Sequence, residues 1–150
     1  IQTQVMLFSS HDVGGMPHPF PGATMVNALL RPESQGHVNI VSPDPFIKPE
    51  IQPNYLTAQK DRDILIGGMK IAREIAQQAP FQKYVAEEHE PGPDCQSDED
   101  WLTYLRERGR TSYHPSSTCR MYIATSASGK QPYLRTTPAR LPFSMYSSTR

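Results

Sequence analysis

Apolar and polar positions alternate with two different periods along this chain, and the change of period divides it. Ile1 to Phe8 is short and β-leaning and predicts a strand. Ala23 to Arg31 predicts a second strand. His37 to Ser42 alternates, with Val38 and Ile40 pointing one way and His37, Asn39 and Val41 the other. Between these two lies Arg31-Pro32-Glu33-Ser34-Gln35-Gly36, a turn whose last residue is free to take positive φ. The pattern predicts an antiparallel hairpin between 23–31 and 37–42. Ile51 to Leu56 adds a short strand, confined to an edge by Pro53.

The period then lengthens. Over Asp61 to Ala79 the residues Ile64, Leu65, Gly68, Ile71, Ala72, Ile75, Ala76 and Ala79 recur at spacings of three and four, the stripe of an amphipathic helix that Pro80 ends. Arg62, Asp63, Lys70, Arg73, Glu74 and Gln77 fall mostly on its other side. Gly67-Gly68 costs helix propensity, about 1 kcal/mol per glycine relative to alanine, and lets the helix sit close on a sheet. Ser97 with Asp100 three residues later resembles a capping box. It opens a second helix whose apolar side is Trp101, Leu102 and Leu105, and Arg106 to Arg110 suit the negative end of its dipole. That helix should run into Tyr113-His114-Pro115 and stop there, because the proline ring pushes His114 out of the α region.

Composition narrows the function. The 150 residues suffice for one domain with a core, and 15 prolines imply many connections and few long elements. Formal net charge is zero, but residues 122–150 hold Lys130, Arg135, Arg140 and Arg150 and no acid. The preceding residues carry 11 basic and 15 acidic side chains. An acidic body with scattered cations makes no nucleic-acid surface, and no apolar run reaches the roughly 18 residues of a membrane span. The chain opens on Ile1 without a secretory leader, so it reads as a piece of something larger with an unreadable destination.

The chemistry-bearing candidate is His114, an imidazole at an abrupt change of chain direction and able to exchange a proton near neutral pH. Its bland alternative is a histidine plugging a helix end. Cys119, five residues on, has no oxyanion motif beside it, and with Cys95 it reads as a free thiol. His11, Asp12 and His18 share a Gly- and Pro-rich loop, but no second cluster at ligand spacing supports a metal there. Arg120 reads as a structural ion-pair partner, Asn54 and Tyr55 as packing and backbone-bonding groups, and Glu87–Glu90 as a solvated turn.

An ordered series of short stretches then resembles the C-terminal substrate-binding region of the glucose–methanol–choline family of flavin-dependent alcohol oxidoreductases, nearest its choline dehydrogenase-like branch. The series runs Leu30 to Val38, Ser42 to Pro45, Pro49-Glu50-Ile51 and Asn54-Tyr55-Leu56, with Asp61 following. Arg73-Glu74-Ile75, Glu90-Pro91-Gly92 and Ser97-Asp98-Glu99 come next, and Tyr113 to Met121 closes it with the histidine-proline signature. The resemblance implies an α+β fold, an antiparallel sheet with helices packed on one face, as a partial substrate-binding domain over residues 1–121. It implies FAD as cofactor, a small-molecule alcohol as substrate, hydride transfer to flavin N5, and His114 as the group that accepts the hydroxyl proton or holds the alkoxide. Two departures accompany it. Tyr122 stands where the family signature has glycine, and 122–150 contains no histidine, so this stretch reads as a divergent, disordered Ser/Thr/Pro-rich tail from an altered frame, a splice variant or a truncation. No strand-GxGxxG-helix unit occurs in the 150 residues, so the FAD-binding domain would have to be supplied in cis or trans. The isolated chain is then expected to be inactive, and the other reading is a non-catalytic binding or structural module built on the same scaffold.

Overall fold

A computed structural model describes residues 1–10, 15–111 and 113, together with the backbone of 145–147. In chain order the elements are β1 (Gln2–Met6), β2 (Thr24–Ala28), β3 (His37–Asn39), β4 (Glu50–Gln52), α1 (Gln59–Ala76), α2 (Ala79–Gln82), α3 (Asp98–Arg108), β5 (Gly109–Thr111) and β6 (Met145–Ser147). Helices and small antiparallel sheets make this an α+β arrangement. Among the described residues the strands form three two-stranded ladders.

The expected hairpin is not there. β2 pairs backward with β1, Gln2 opposite Ala28 and Met6 opposite Thr24, while β3 pairs forward with β4, His37 opposite Gln52 and Asn39 opposite Glu50. The reason lies in the turn between β2 and β3, whose backbone is committed elsewhere. The amides of Glu33 and Ser34 each donate 2.8 Å to the Asp61 carboxylate on α1, one to each oxygen. A Cβ on Gly36 would lie 2.3 Å from the Gln52 carbonyl oxygen, so that glycine is where two backbones cross. The edge strand expected over Ile51–Leu56 is present but shorter and earlier, at β4.

α1 begins two residues ahead of the expected start and stops at Ala76, before Pro80, which instead opens the short α2. Its buried residues are Asp61, Leu65, Ile66, Gly68, Met69 and Ala72. The expected stripe holds at Leu65, Gly68 and Ala72 but not at Ile71 and Ile75, which are exposed. The buried arc is rotated because α1 packs against α3 as well as against β2. Trp101 of α3 lies where the helical pattern put a polar face, and it takes the Arg73 guanidinium over its ring at 4.2 Å. Gly68 does sit close on the sheet, beside Ile1 and Asn27, whereas Gly67 faces open space.

α3 follows the sequence closely at its start. Ser97 Oγ accepts from the Asp100 amide, and the Asp100 carboxylate accepts from the Ser97 amide at 2.8 Å, completing the capping box. Arg110 donates to the carbonyls of Glu107 and Gly109 at the other end. The helix ends at Arg108, short of the His114 segment, because Gly109 takes an extended conformation (φ −58°, ψ 135°) and starts β5. The core gathers Leu65, Ile66 and Met69 of α1, Trp101 and Leu105 of α3, and Leu29, Leu56 and Cys95 from the segments that follow β2, precede α1 and precede α3. β6 pairs with β5 through its backbone. The remainder of 122–150, on which the expectation of disorder falls, lies outside the described residues. Among the described residues no helix is long and apolar enough to cross a membrane.

Candidate functional site

His114, Pro115, Cys119 and Arg120 lie outside the described residues, as do His11 and Asp12. What the structure does describe is the approach to the histidine. α3 delivers the chain into β5, and Tyr113 then takes a left-handed backbone, φ 61°, with its amide donating to Thr111 Oγ1 at 3.1 Å. A non-glycine residue held at positive φ costs of order 1–3 kcal/mol. The change of direction that the proline predicts at His114 itself lies outside the described residues.

Three sets of contacts tie the loops of this unit to α1. The first is the Asp61 carboxylate, almost wholly buried, which ties the Glu33–Ser34 turn to the first turn of α1. Ser34 answers with its hydroxyl, which accepts from the Ala58 amide at 3.0 Å. The second is the loop before α1, where Asn54 and Leu56 sit at positive φ. Asn54 donates its side-chain amide to the Gln35 carbonyl at 3.0 Å, as its reading as a backbone-bonding group requires. Arg62 donates 2.6 Å to the Leu56 carbonyl and 3.0 Å to that of Thr57.

The third contact is Arg73. Its side chain is only 14% exposed. It makes a two-pronged ion pair with Glu88 at 2.7 and 2.8 Å, and donates to the Cys95 and Gly92 carbonyls at 2.7 and 3.1 Å. With its face on Trp101, this one guanidinium clamps the 88–95 loop onto α1 and α3. Glu88 is thus no solvated turn residue. Sequence periodicity missed both Asp61 and Arg73, and the usable signal was a charge placed next to the apolar stripe.

Electrostatics follow burial. Burial pushes the Cys95 thiol up, against the pull of Arg73, and Cys95 is free. Tyr104 is raised by burial and then by Glu90, so its hydroxyl stays protonated. Asp100 is held below the ordinary carboxylate range by its bonds to Ser97 and Gln96. His18, the described member of the loop trio, has its Nδ1 2.8 Å from Ser9 Oγ, stacks on Phe20 at 4.9 Å and meets His89 edge-on at 5.5 Å. Among the described residues no group of three or more His, Cys, Asp or Glu side chains is placed to hold a metal ion. A groove of about 440 Å³ runs along Tyr55, Leu56, Thr57, Arg62, Leu105, Arg106 and Gly109, reaching the point where α3 becomes β5.

Comparison with known proteins places this geometry in context. The family model described as GMC oxidoreductase, C-terminal domain, matches residues 32–128. The chain is 41% identical over 102 residues to the GMC oxidoreductase family protein Mala s 12 of Malassezia sympodialis, a match that covers 68% of this chain and 16% of that protein. It is 40% identical over 88 residues to the oxygen-dependent choline dehydrogenase of Staphylococcus saprophyticus, covering 59% of this chain and 16% of the relative. It is 38% identical over 100 residues to an alcohol dehydrogenase [acceptor] of Pseudomonas putida, covering 67% and 18%. The chain therefore spans about a sixth of the length of the curated relatives it matches. No solved structure matches it significantly.

Proposed function

Because this chain belongs to the GMC oxidoreductase family, we propose that it is the substrate-side portion of a flavin-dependent enzyme acting on the CH–OH group of an alcohol. The observation that carries the proposal is the Tyr113–Met121 signature, which lies inside the matched residues and closes the ordered series of family stretches. Residues 1–121 form part of the substrate-binding domain, and 122–150 is its divergent tail. The names of the relatives, a choline dehydrogenase and an alcohol dehydrogenase, support an alcohol as the substrate.

His114 is the residue assigned to the alcohol's proton. Its imidazole accepts the hydroxyl hydrogen or holds the developing alkoxide, a contribution typically worth about 10²–10⁴ in rate. FAD, the family's usual cofactor, supplies the hydride acceptor when bound. The described residues do not provide its pyrophosphate cradle. The amino terminus of α1 is occupied by Ser34 and Asp61, that of α3 by its own Ser97 cap, and no glycine-rich strand-to-helix turn lies among them. Holding FAD falls to the larger part of the family protein, in cis or in trans. The isolated 150 residues accordingly purify colourless and oxidise no alcohol, and stoichiometric bound flavin would overturn that division of labour.

The test of His114 uses the chain joined to the upstream part of a relative. His114→Ala should lower kcat/KM by about 10²-fold or more. The acidic fall-off of the pH profile should disappear with it. Activity within threefold of the parent, with the profile intact, refutes the assignment. A non-catalytic module on the same scaffold is favoured by one observation, the absence of any histidine after Met121. Failure of the joined protein to turn over at all, despite bound flavin, would select it.

A further inference from the structure

β5 is the last described strand before the His114 turn, and its partner comes from the far end of the chain. β6 pairs with it antiparallel, Gly109 opposite Ser147, Arg110 opposite Tyr146 and Thr111 opposite Met145. The family model matches residues 32–128, so β5 lies inside the matched segment and β6 beyond it. The strand that leads to the signature histidine is therefore completed by a segment outside the family match.

β6 does more than pair with β5. Among the described elements, those packed most extensively on β2 are its partner β1, β6 and helix α1. α1 lies on the Asn27 side of β2, since a Cβ on Gly68 would fall 3.8 Å from Asn27 Oδ1. Val26 and Ala28 point the other way by alternation, are 1% and 5% exposed, and do not belong to the core between α1 and α3. β6 thus joins the buried β1–β2 ladder to β5. That link matters energetically. A ladder of three residues a side is marginal alone, and this one closes a connection of about thirty residues, whose entropy opposes it. Packing of β6 on β2 supplies what the ladder lacks.

We infer that residues 145–147 are a strap that holds β5 against β2 and so positions the strand from which the chain enters the His114 turn. What the strap supplies is backbone. Strand addition works through main-chain hydrogen bonds and asks little of sequence, which is how a divergent segment can serve there. The inference rests on the reading of His114 as the group that handles the alcohol's proton, and gives the tail a positioning role toward it.

The experiment is the double substitution Tyr146→Pro with Ser147→Pro in the full chain. Successive amides along a strand point to opposite sides, so one of the two faces β5, and proline removes it. Hydrogen exchange over Gly109–Thr111 should quicken at least tenfold, while α1 around Leu65 and Met69 keeps its protection. Tyr146→Val with Ser147→Thr keeps both amides and should exchange as the parent does. In the chain joined to the upstream part of a relative, the proline variant should lower kcat at least fivefold, with KM and bound flavin within twofold of the parent. Unchanged exchange at β5, or equal acceleration by the Val/Thr variant, overturns the strap. Equal acceleration in α1 would show general unfolding and overturn it too. Faster exchange at β5 with full kcat overturns the positioning role. A joined parent that binds flavin without turning over overturns the reading of His114 and that role with it, while selective acceleration at β5 still establishes the strap.

Discussion

Replacing Asp61 with asparagine removes one oxygen acceptor from a site that uses two. The carboxylate is 1% exposed and takes the Glu33 and Ser34 amides separately, one on each oxygen. Asparagine keeps one acceptor and turns an NH2 donor toward the second amide. The loss is one hydrogen bond to a charged group, about 1.5–3 kcal/mol, and a buried amide left without a partner, about 1–3 kcal/mol. Relief from burying a negative charge offsets part of this, so Asp61→Asn should destabilise the chain by about 2–4 kcal/mol. Urea unfolding followed by the fluorescence of Trp101, the only tryptophan, reads this directly, since that ring is buried under Arg73 and becomes wet on unfolding. With an m-value of about 1.5–2 kcal/mol/M, the midpoint should fall by roughly 1–2.7 M. Ser34→Ala should cost less, about 1 kcal/mol, because it removes only the hydroxyl that accepts from the Ala58 amide. A midpoint shift below roughly 0.3 M for Asp61→Asn, at unchanged m, would mean that the turn is held by something other than this carboxylate.

The other predictions use the same unfolding assay or an equally simple one. Arg73→Met should cost about 3 kcal/mol by leaving Glu88 and two carbonyls without their donor, and Arg73→Lys should recover only part of it, since an ammonium cannot serve the same fork. Gly36→Ala should destabilise by about 1–3 kcal/mol or more, because the new methyl meets the Gln52–Pro53 backbone, while Gly67→Ala, into open space, should stabilise by about 1 kcal/mol. The depressed Asp100 carboxyl contributes stability that is present above the ordinary carboxylate value and lost as pH falls through its lower folded value. Protection of the Ser97 amide against exchange, relative to its intrinsic rate, should therefore fall only in acid, and Asp100→Asn should remove that dependence. Cys95, buried and with its thiol raised, should resist alkylation at neutral pH until the chain unfolds.

Local signals in this chain were legible and distant commitments were not. The capping box at Ser97 and Asp100 needs only three residues of sequence, and it formed as read. Trp101 and Leu105 reached the core for the same reason, being fixed by a single helical turn. Segments 23–31 and 37–42 are close in sequence, but the amides of the turn between them are not free to close a hairpin. Two of them go to Asp61, 27 and 28 residues away, and no local pattern reports that. Arg73 was misplaced for a related reason. Periodicity sorts residues by polarity, whereas a guanidinium with a flat apolar face and five donors can be buried against Trp101 and still satisfy a carboxylate.

Several of the stretches that carry the family resemblance, scattered over some seventy residues, are tied to one helix. Glu33 and Ser34 of the first stretch hang from Asp61 in the opening turn of α1. Asn54 and Leu56 of the Asn54-Tyr55-Leu56 stretch hold Gln35 and receive Arg62. Arg73 of the Arg73-Glu74-Ile75 stretch reaches Glu88 and the carbonyl of Gly92, which belongs to the Glu90-Pro91-Gly92 stretch, and the carbonyl of Cys95 two residues before the Ser97 cap. α1 is thus the rod to which these pieces are tied by named polar contacts, and α3, whose preceding loop is held by Arg73, leads directly into β5. Substituting at any tie should therefore do more than lower stability: it should change the direction from which the chain enters the His114 turn. The two effects separate in the joined enzyme, where Arg73→Lys should depress kcat at temperatures well below its unfolding midpoint. An Arg73→Lys enzyme with full kcat and only a lowered midpoint would reduce the tie to a structural one.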